Sequence, residues 1–171
     1  QRYFGEDVPG GKYAVLVDEA HNLPDRARSM FSASLKCSDL TPALEALPLG
    51  SGLREHLQKL LETMRGYRTL CRDTLQTDGE GIERGYDLNH GAMETFHTAV
   101  RKLRPVVDTW LRTHQGEVGE SEVWTLSGAL RRVETIAEIY DKTHVTFVEV
   151  EGEDLTVRLI CLDPSQALDE R

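Results

Sequence analysis

Apolar residues recur at intervals of three or four along most of the chain, a spacing typical of helices that bury one face. Three long stripes are present: Leu53, Leu57, Leu60, Leu61, Met64, Cys71 and Leu75; Met93, Phe96, Val100, Leu103, Val107 and Trp110; and Leu126, Leu130, Val133, Ile136, Ala137 and Tyr140. Ser51 is expected to cap the first of these helices, and Pro105 to kink or break the second. Two shorter helices are predicted, over residues 23–35 behind a cap at Asn22 and from Thr41-Pro42 through Leu47.

Other segments have a different pattern. Residues 145–150 and 155–162 alternate between apolar and polar and flank Glu-Gly-Glu-Asp, which predicts a β-hairpin. Residues 13–17 form a short apolar run of strand length, typical of a buried strand. Residues 77–91 are rich in glycine and acidic side chains, which predicts a long loop.

The strands near the two ends are far apart in sequence, and the helices lie between them. This order predicts a mainly α fold, in which a helical insertion of residues 23–143 separates two pieces of an α/β domain. Residues 1–22 and 144–171 would be those two pieces, with the hairpin at the edge of the α/β domain. The chain is thus expected to be a fragment of a larger protein.

Charge and cysteine content narrow the function classes. The formal net charge is −9, so binding to nucleic acid would need local basic patches. Three widely spaced cysteines, Cys37, Cys71 and Cys161, indicate neither a disulfide framework nor a metal-ligand set. With no apolar segment of membrane-spanning length and no signal peptide, the sequence predicts a cytoplasmic protein, nucleoid-associated if it is bacterial.

The strongest chemical signal is Asp18-Glu19-Ala20-His21, which directly follows the apolar run of residues 13–17. In a Walker B arrangement the aspartate holds Mg²⁺ through water and the next carboxylate positions or deprotonates the attacking water. His21 would sense the γ-phosphate of ATP. The plainer interpretation is that the two carboxylates only cap the following helix; four motif residues between a strand and a helix favour the ATPase.

Two stretches resemble one helicase family. Residues 15–23, VLVDEAHNL, are similar to the Walker B region of XPD/DinG-like superfamily 2 DNA helicases. Residues 159–168, LICLDPSQAL, resemble the segment that re-enters the first motor domain before its next helicase motif. Between these two marks the family inserts a helical arch domain, so the resemblance spans the whole chain, with its most specific part at residues 18–22.

The resemblance implies an ATP-dependent helicase that moves 5′ to 3′ along single-stranded DNA. Asp18 and Glu19 would serve Mg²⁺ and ATP, and the remaining motor domains would be partners. Many members hold a four-cysteine iron–sulfur cluster in an insertion upstream of Walker B, which would precede Gln1. The phosphate-binding glycine-lysine motif is absent from these residues, because Gly11-Lys12 is followed by Tyr13, so we expect the isolated chain not to hydrolyse ATP.

Weaker signals allow alternatives. Arg101, Arg104 and Arg112 fall on one side of a predicted helix, as a DNA track or as an ordinary solvated edge. The helical insertion could instead be a docking platform for protein partners with little DNA contact, or the motif could belong to an RNA-directed DEAH-box protein, which does not usually carry so long an insertion. A divalent-metal site at His90, Glu94 and His97 is a remote further option.

Overall fold

The computed structural model describes residues 20–89 and 91–165, which form five α-helices and a five-stranded antiparallel sheet. The elements are α1 (Leu23–Met30), β1 (Ala33–Lys36), α2 (Cys37–Ala46), α3 (Gly52–Gly66), β2 (Gln76–Thr77), β3 (Glu83–Asn89), α4 (Glu94–Thr113), α5 (Glu120–Glu138), β4 (His144–Glu151) and β5 (Asp154–Cys161). Short 3₁₀ helices precede α1 (Ala20–Asn22) and follow α3 (Tyr67–Asp73). None of the helices in these ranges is long and apolar enough to cross a membrane.

The predicted hairpin is confirmed and lies at the centre of the sheet, whose strand order is β1-β5-β4-β3-β2. β4 and β5 pair along their whole length, and Gly152 adopts a φ of +60° in the turn between them, a conformation that favours glycine. β5 also pairs with β1, and β4 with β3. Strands from residues 23–143 therefore flank the hairpin on both sides, and the expected division between residues 143 and 144 runs through one continuous sheet.

The helices cover one face of this sheet. Val148, Val157 and Leu159 of the central strands share a single core with residues of the long helices, among them Leu57, Phe96 and Leu130. All six side chains are almost completely buried, so the helices and strands are stabilised together by the same apolar contacts. The prediction of a mainly helical fold is therefore right for the helical layer and incomplete for the sheet.

The three long amphipathic helices are confirmed. Ser51 caps α3 as expected, because its hydroxyl accepts a hydrogen bond of 3.2 Å from the Arg54 amide. The apolar stripe outlasts this helix, since Cys71, the stripe residue after Met64, is buried within the 3₁₀ helix that follows. α4 continues through Pro105 without a break.

The predicted helix over residues 23–35 is wrong beyond Met30. Ala33 and Leu35 are buried while Ser34 and Lys36 are exposed, an alternation of period two that suits β1 at the edge of the sheet. Immediately afterwards α2 begins, four residues before the expected start at Thr41. A residue of its own first turn caps this helix, because the carboxylate of Asp39 accepts a hydrogen bond of 2.8 Å from the Lys36 amide.

The predicted loop over residues 77–91 is wrong for residues 83–89, which form β3 and pair with β4. Gly85 is its buried residue. A Cβ atom at this position would lie 2.9 Å from Leu75 Cδ1 and 3.0 Å from Leu75 Cα, so the leucine side chain and its backbone would both have to shift. The core-facing position of β3 therefore favours glycine, and the strand lacks the apolar residue that would have marked it in the sequence.

Candidate functional site

The Walker B carboxylates Asp18 and Glu19 lie outside the described residues, so their roles stay predictions. His21, the third motif residue assigned a role, is described: it is exposed, in the 3₁₀ turn that leads into α1. The motif is thus followed directly by a helix, which is the context expected of a Walker B segment. That context is all the structure adds about the motif itself.

α1 starts where the sequence predicts, but the expected cap is not formed. Asn22 has helical backbone angles, and its side chain makes no capping hydrogen bond. Pro24 and Asp25 in the first turn favour the helix start instead, since proline has no amide hydrogen to leave unsatisfied and a carboxylate interacts favourably with the N-terminal dipole.

α1, which directly follows the predicted Walker B motif, and the end of β5 lie side by side. The Arg28 side chain donates a hydrogen bond of 3.2 Å from Nε to the carbonyl of Leu162. The hydroxyl of Ser32 accepts from the Cys161 amide at 2.9 Å and donates to the carbonyl of Arg28 at 2.7 Å. Residues 134 and 129 positions apart in sequence are thus joined at the two ends of the region between α1 and β5.

Arg132 on α5 fixes this junction from the helical layer. Its guanidinium donates to the carbonyls of Ser29 at 2.6 Å and Ser32 at 3.1 Å. Backbone carbonyls at the end of a helix carry partial negative charge, so a guanidinium is a favourable partner there. Arg132 thus has a structural role at the end of α1.

The proposed arginine track is not a single exposed surface. The side chain of Arg104 is only 8% exposed and forms ion pairs at 3.1 Å with Glu134 on α5 and with Asp108 on its own helix. It also donates to the Ser127 hydroxyl at 3.2 Å. The expectation that Arg104 faces DNA is therefore corrected: its guanidinium is held between α4 and α5 by groups that α5 brings to it.

Arg101 and Arg112 are exposed, so DNA contact through these two residues stays a prediction. Arg112 donates to the carbonyl of Asp108 at 3.3 Å and to the hydroxyl of Thr109 at 3.2 Å, which keeps its side chain along the helix. Two exposed cations separated by three helical turns form a sparser basic surface than the sequence suggested.

A cluster of aromatic and imidazole rings lies where α4, the end of α5 and β4 meet. The ring of Tyr140 contacts that of His97 at 5.9 Å and that of His144 at 5.3 Å between centroids. The Tyr140 hydroxyl donates to the Gly91 carbonyl at 3.2 Å and shares a hydrogen bond of 3.0 Å with the Thr146 hydroxyl. His97 is buried, and its Nε2 has no hydrogen-bond partner.

Some polar groups around this cluster have hydrogen-bond partners and others do not. Hydrogen bonds from the Thr143 side chain and from His144 lower the pKa of Asp141 to about 2, so this exposed carboxylate is ionised under ordinary conditions. Burial lowers the pKa of His97, because the imidazolium would lose its hydration without a compensating partner for Nε2. Although a hollow of about 190 Å³ adjoins His97, that nitrogen is shielded from solvent.

The described residues hold no group of three side chains able to bind a metal ion. His90, one member of the remote metal option, lies outside them. Two others, Glu94 and His97, do line the same hollow between α4 and α5. A metal site there stays without support from the described part of the chain.

The cysteines are buried and unpaired in the structure. Burial, with a smaller contribution from the nearby Asp154 carboxylate, raises the pKa of Cys37 to about 11. Since the thiolate is the reactive form and the metal ligand, Cys37 is chemically inert near neutral pH.

Lowering the pH should destabilise the fold through His97. The imidazole of the unfolded chain takes up a proton near pH 6.5, whereas burial lowers the pKa of His97 in the folded chain. The free energy of unfolding should therefore be highest above pH 6.5 and decrease as the pH falls below it. His97→Leu should reduce this loss between pH 7 and 5, and at pH 8 should change stability by only about 1 kcal/mol, since it removes an unpaired buried group.

Urea unfolding followed by circular dichroism at several pH values measures this effect. The exposed His56 supplies the control: His56→Gln should leave the pH dependence as in the original chain. If the His97→Leu chain lost as much stability on acidification as the original, protonation of His97 would not be the cause.

Comparison with known proteins assigns no family to the chain. The sequence matches no protein-family model and has no significant match among curated proteins. The functional argument therefore depends on the sequence motif and on the contacts between α1 and the end of β5.

Proposed function

We propose that the chain is part of an XPD/DinG-like DNA helicase, in which residues 15–22 supply the Walker B segment of the ATPase. The sequence VLVDEAHN carries the proposal, because it combines an apolar run, adjacent carboxylates and a histidine at the spacing that the chemistry requires. The region between α1 and the end of β5 is then the arch-type insertion of that motor.

The junction between α1 and the end of β5 supports this function. An inserted domain must leave and re-enter its host at neighbouring points, as chain termini of compact domains often do. Arg28 and Ser32 bond the start of the region to Leu162 and Cys161 at its end. An insertion needs this proximity. The contact forms because β5, near the end of the chain, is a central strand of the sheet and lies beside α1.

The proposed chemistry needs Mg²⁺, and the donor set fits it. Carboxylate oxygens are the ligands that Mg²⁺ prefers, and Asp18 would hold the ion through water. The bound ion would neutralise charge on the phosphates of ATP. Glu19 would orient or deprotonate the attacking water, and His21 would transmit the state of the γ-phosphate to the neighbouring motor domain. Single-stranded DNA is the track, and an iron–sulfur cluster upstream is compatible with the family.

A second candidate function is protein docking by the insertion, with little direct DNA contact. Two observations favour it. The chain carries a formal charge of −9, and Arg104 is occupied within the fold, which leaves only Arg101 and Arg112 of the three arginines exposed. Fewer free cations mean fewer phosphate contacts.

The full-length protein should hydrolyse ATP faster when single-stranded DNA is added, and should unwind duplexes that carry a 5′ overhang. Duplexes with a 3′ overhang are the matched control for polarity, and single-stranded RNA of the same sequence is the control for the nucleic acid. Stimulation by RNA alone would favour an RNA-directed DEAH-box protein. Unwinding from 3′ overhangs would contradict the family assignment.

A further inference from the structure

Two loops at one end of the helical layer form a groove that ATP hydrolysis does not require. The first, residues 47–51, joins α2 to α3, and the second, residues 114–119, joins α4 to α5. The space between them is about 740 Å³ and is lined by Glu45, Ala46, Leu47, Pro48, Ser51, Trp110, His114, Gly116, Glu117 and Val118. This volume lies within the range of pockets that bind ligands or anchoring side chains.

The groove has an aromatic floor. The rings of Trp110 and His114 stack almost in parallel, with centroids 4.6 Å apart and an angle of 5° between their planes. The imidazole Nδ1 also lies 3.0 Å from the carbonyl of Trp110, so the ring is held in place by its own helix. A flat stacked pair presents a rigid apolar surface to an incoming side chain.

The first loop is tied down by hydrogen bonds. The guanidinium of Arg54 donates to the carbonyl of Leu44 and, at 2.9 Å, to that of Leu47. The Ser51 amide donates to the carbonyl of Pro48 at 3.2 Å. A loop fixed in this way loses little conformational entropy when a partner binds.

The second loop is also fixed, and it packs against α2. The Gly116 amide donates to the carboxylate of Glu120 at 2.5 Å. Gly119 adopts a φ of +93°, and a Cβ atom on it would lie 3.2 Å from Ala46 Cβ. Only glycine allows the loop to approach α2 this closely in that conformation, so the width of the groove is set by the fold.

Exposed apolar side chains mark the two loops. Val118 in the second loop lines the groove and is 83% exposed. Leu49 in the first loop is 87% exposed and directly follows the lining residue Pro48. Isolated exposed apolar residues need no explanation, but here one lines a preformed groove with an aromatic floor and the other lies next to its lining. Burying both would supply part of the binding free energy of a partner.

Charge identifies the chemistry of that partner. Glu45 and Glu117 are exposed on opposite sides of the groove, and the first turn of α5 adds Glu120 and Glu122 nearby. The cationic side chains on these segments are His114, Arg112 and Arg54, and the guanidinium of Arg54 is already bonded to the carbonyls of Leu44 and Leu47. Carboxylates repel DNA phosphates, anionic lipid and a second copy of this acidic chain, and attract lysine and arginine.

We propose that this groove docks a basic segment of a partner protein, which inserts an apolar side chain against Trp110 between the two loops. The proposal names the binding surface for the second candidate function, protein docking, and rests on it. It does not involve the Walker B residues, so it can fail or succeed independently of the helicase activity.

Selection of random peptides displayed on phage against the full chain tests the proposal. Selected peptides should combine lysine or arginine with a large apolar residue. Their synthetic forms should bind at least about tenfold more weakly to the Leu49→Ser/Val118→Ser double variant, which loses the exposed apolar side chains of the two loops. The Glu45→Gln/Glu117→Gln double variant should weaken binding and reduce its salt dependence.

Matched controls lie on the opposite, partly exposed face of the sheet. Tyr86→Ser/Leu88→Ser removes two exposed apolar side chains from there, and Glu80→Gln/Glu153→Gln removes two exposed carboxylates elsewhere. Both controls should bind the peptides as the original chain does. Selection of no peptide or of acidic peptides, or equal weakening in the groove and control variants, would overturn the proposal. Displacement of bound peptide from the groove by oligothymidine would also overturn it, since the occupant would then be nucleic acid.

Discussion

Replacing Glu19 by Gln in the full-length protein should slow DNA-stimulated ATP hydrolysis by about 10²- to 10⁴-fold, the contribution of a positioned general base. The amide has nearly the same size and shape as the carboxylate but cannot take a proton from water. Nucleotide binding should therefore change little, since phosphate contacts and Mg²⁺ do not depend on that proton transfer. Phosphate release measures turnover, and titration with a fluorescent ATP analogue measures binding.

Two neighbouring carboxylates sharpen this test. Asp18→Asn should weaken Mg²⁺-dependent nucleotide binding as well as turnover, because this residue is assigned to the ion. Asp25→Asn removes an exposed carboxylate from the first turn of α1 and should leave both properties nearly unchanged. Normal turnover in the Glu19→Gln protein would remove Glu19 from the mechanism, and equal losses in the Asp25 and Glu19 variants would point to a disturbed fold.

The long helices and the hairpin could be predicted because their apolar residues repeat with a clear period. Each stripe on α3, α4 and α5 meets the sheet or a neighbouring helix, so burial and sequence pattern coincide. The hairpin adds a glycine with positive φ in its turn. In these elements local preference and tertiary packing favour the same structure.

β1 and β3 were missed for two different reasons. In β1 the pattern exists but is short, because only Ala33 and Leu35 point into the core, and four residues are too few to separate a strand from the end of a helix. In β3 the core-facing Gly85 is dictated by the close approach of Leu75. Contacts with residues distant in sequence decide both cases, and a local pattern does not contain them.

The candidate sites also differ in whether they depend on local sequence or on contacts between distant segments. The Walker B assignment stays a prediction; it could be made from the sequence because the proposed chemistry lies in adjacent residues. The proximity of α1 to Leu162 and the groove beside Trp110 depend on how distant segments meet. For the groove a sequence signal existed in Leu49 and Val118, apolar residues beside glycines in loops, but nothing in the sequence brings those loops together.

Arg104 shows most directly what a sequence pattern cannot predict. A helical wheel gives the direction of a side chain but not the residues of other elements that lie opposite it. We expect Arg104→Ala to lower the free energy of unfolding by about 2–4 kcal/mol, since it removes a buried guanidinium and leaves its carboxylate partners unpaired. The loss should not be larger, because Glu134 and Asp108 are 27% and 45% exposed and can regain water. Urea unfolding followed by circular dichroism measures the change.

Companion variants separate the structural role of Arg104 from DNA binding. Arg101→Ala and Arg112→Ala should each change stability by less than about 0.5 kcal/mol, as expected of exposed side chains. Arg104→Met, which restores apolar packing without charge, should recover part of the lost stability and leave single-stranded DNA affinity of the folded chain unaltered. If Arg104→Ala were as stable as Arg112→Ala, or if Arg104→Met lowered DNA affinity as much as Arg101→Ala does, the guanidinium would not be committed to the α4–α5 interface. Arg104 would then return to the DNA track, and the case for protein docking would lose one of its two supporting observations.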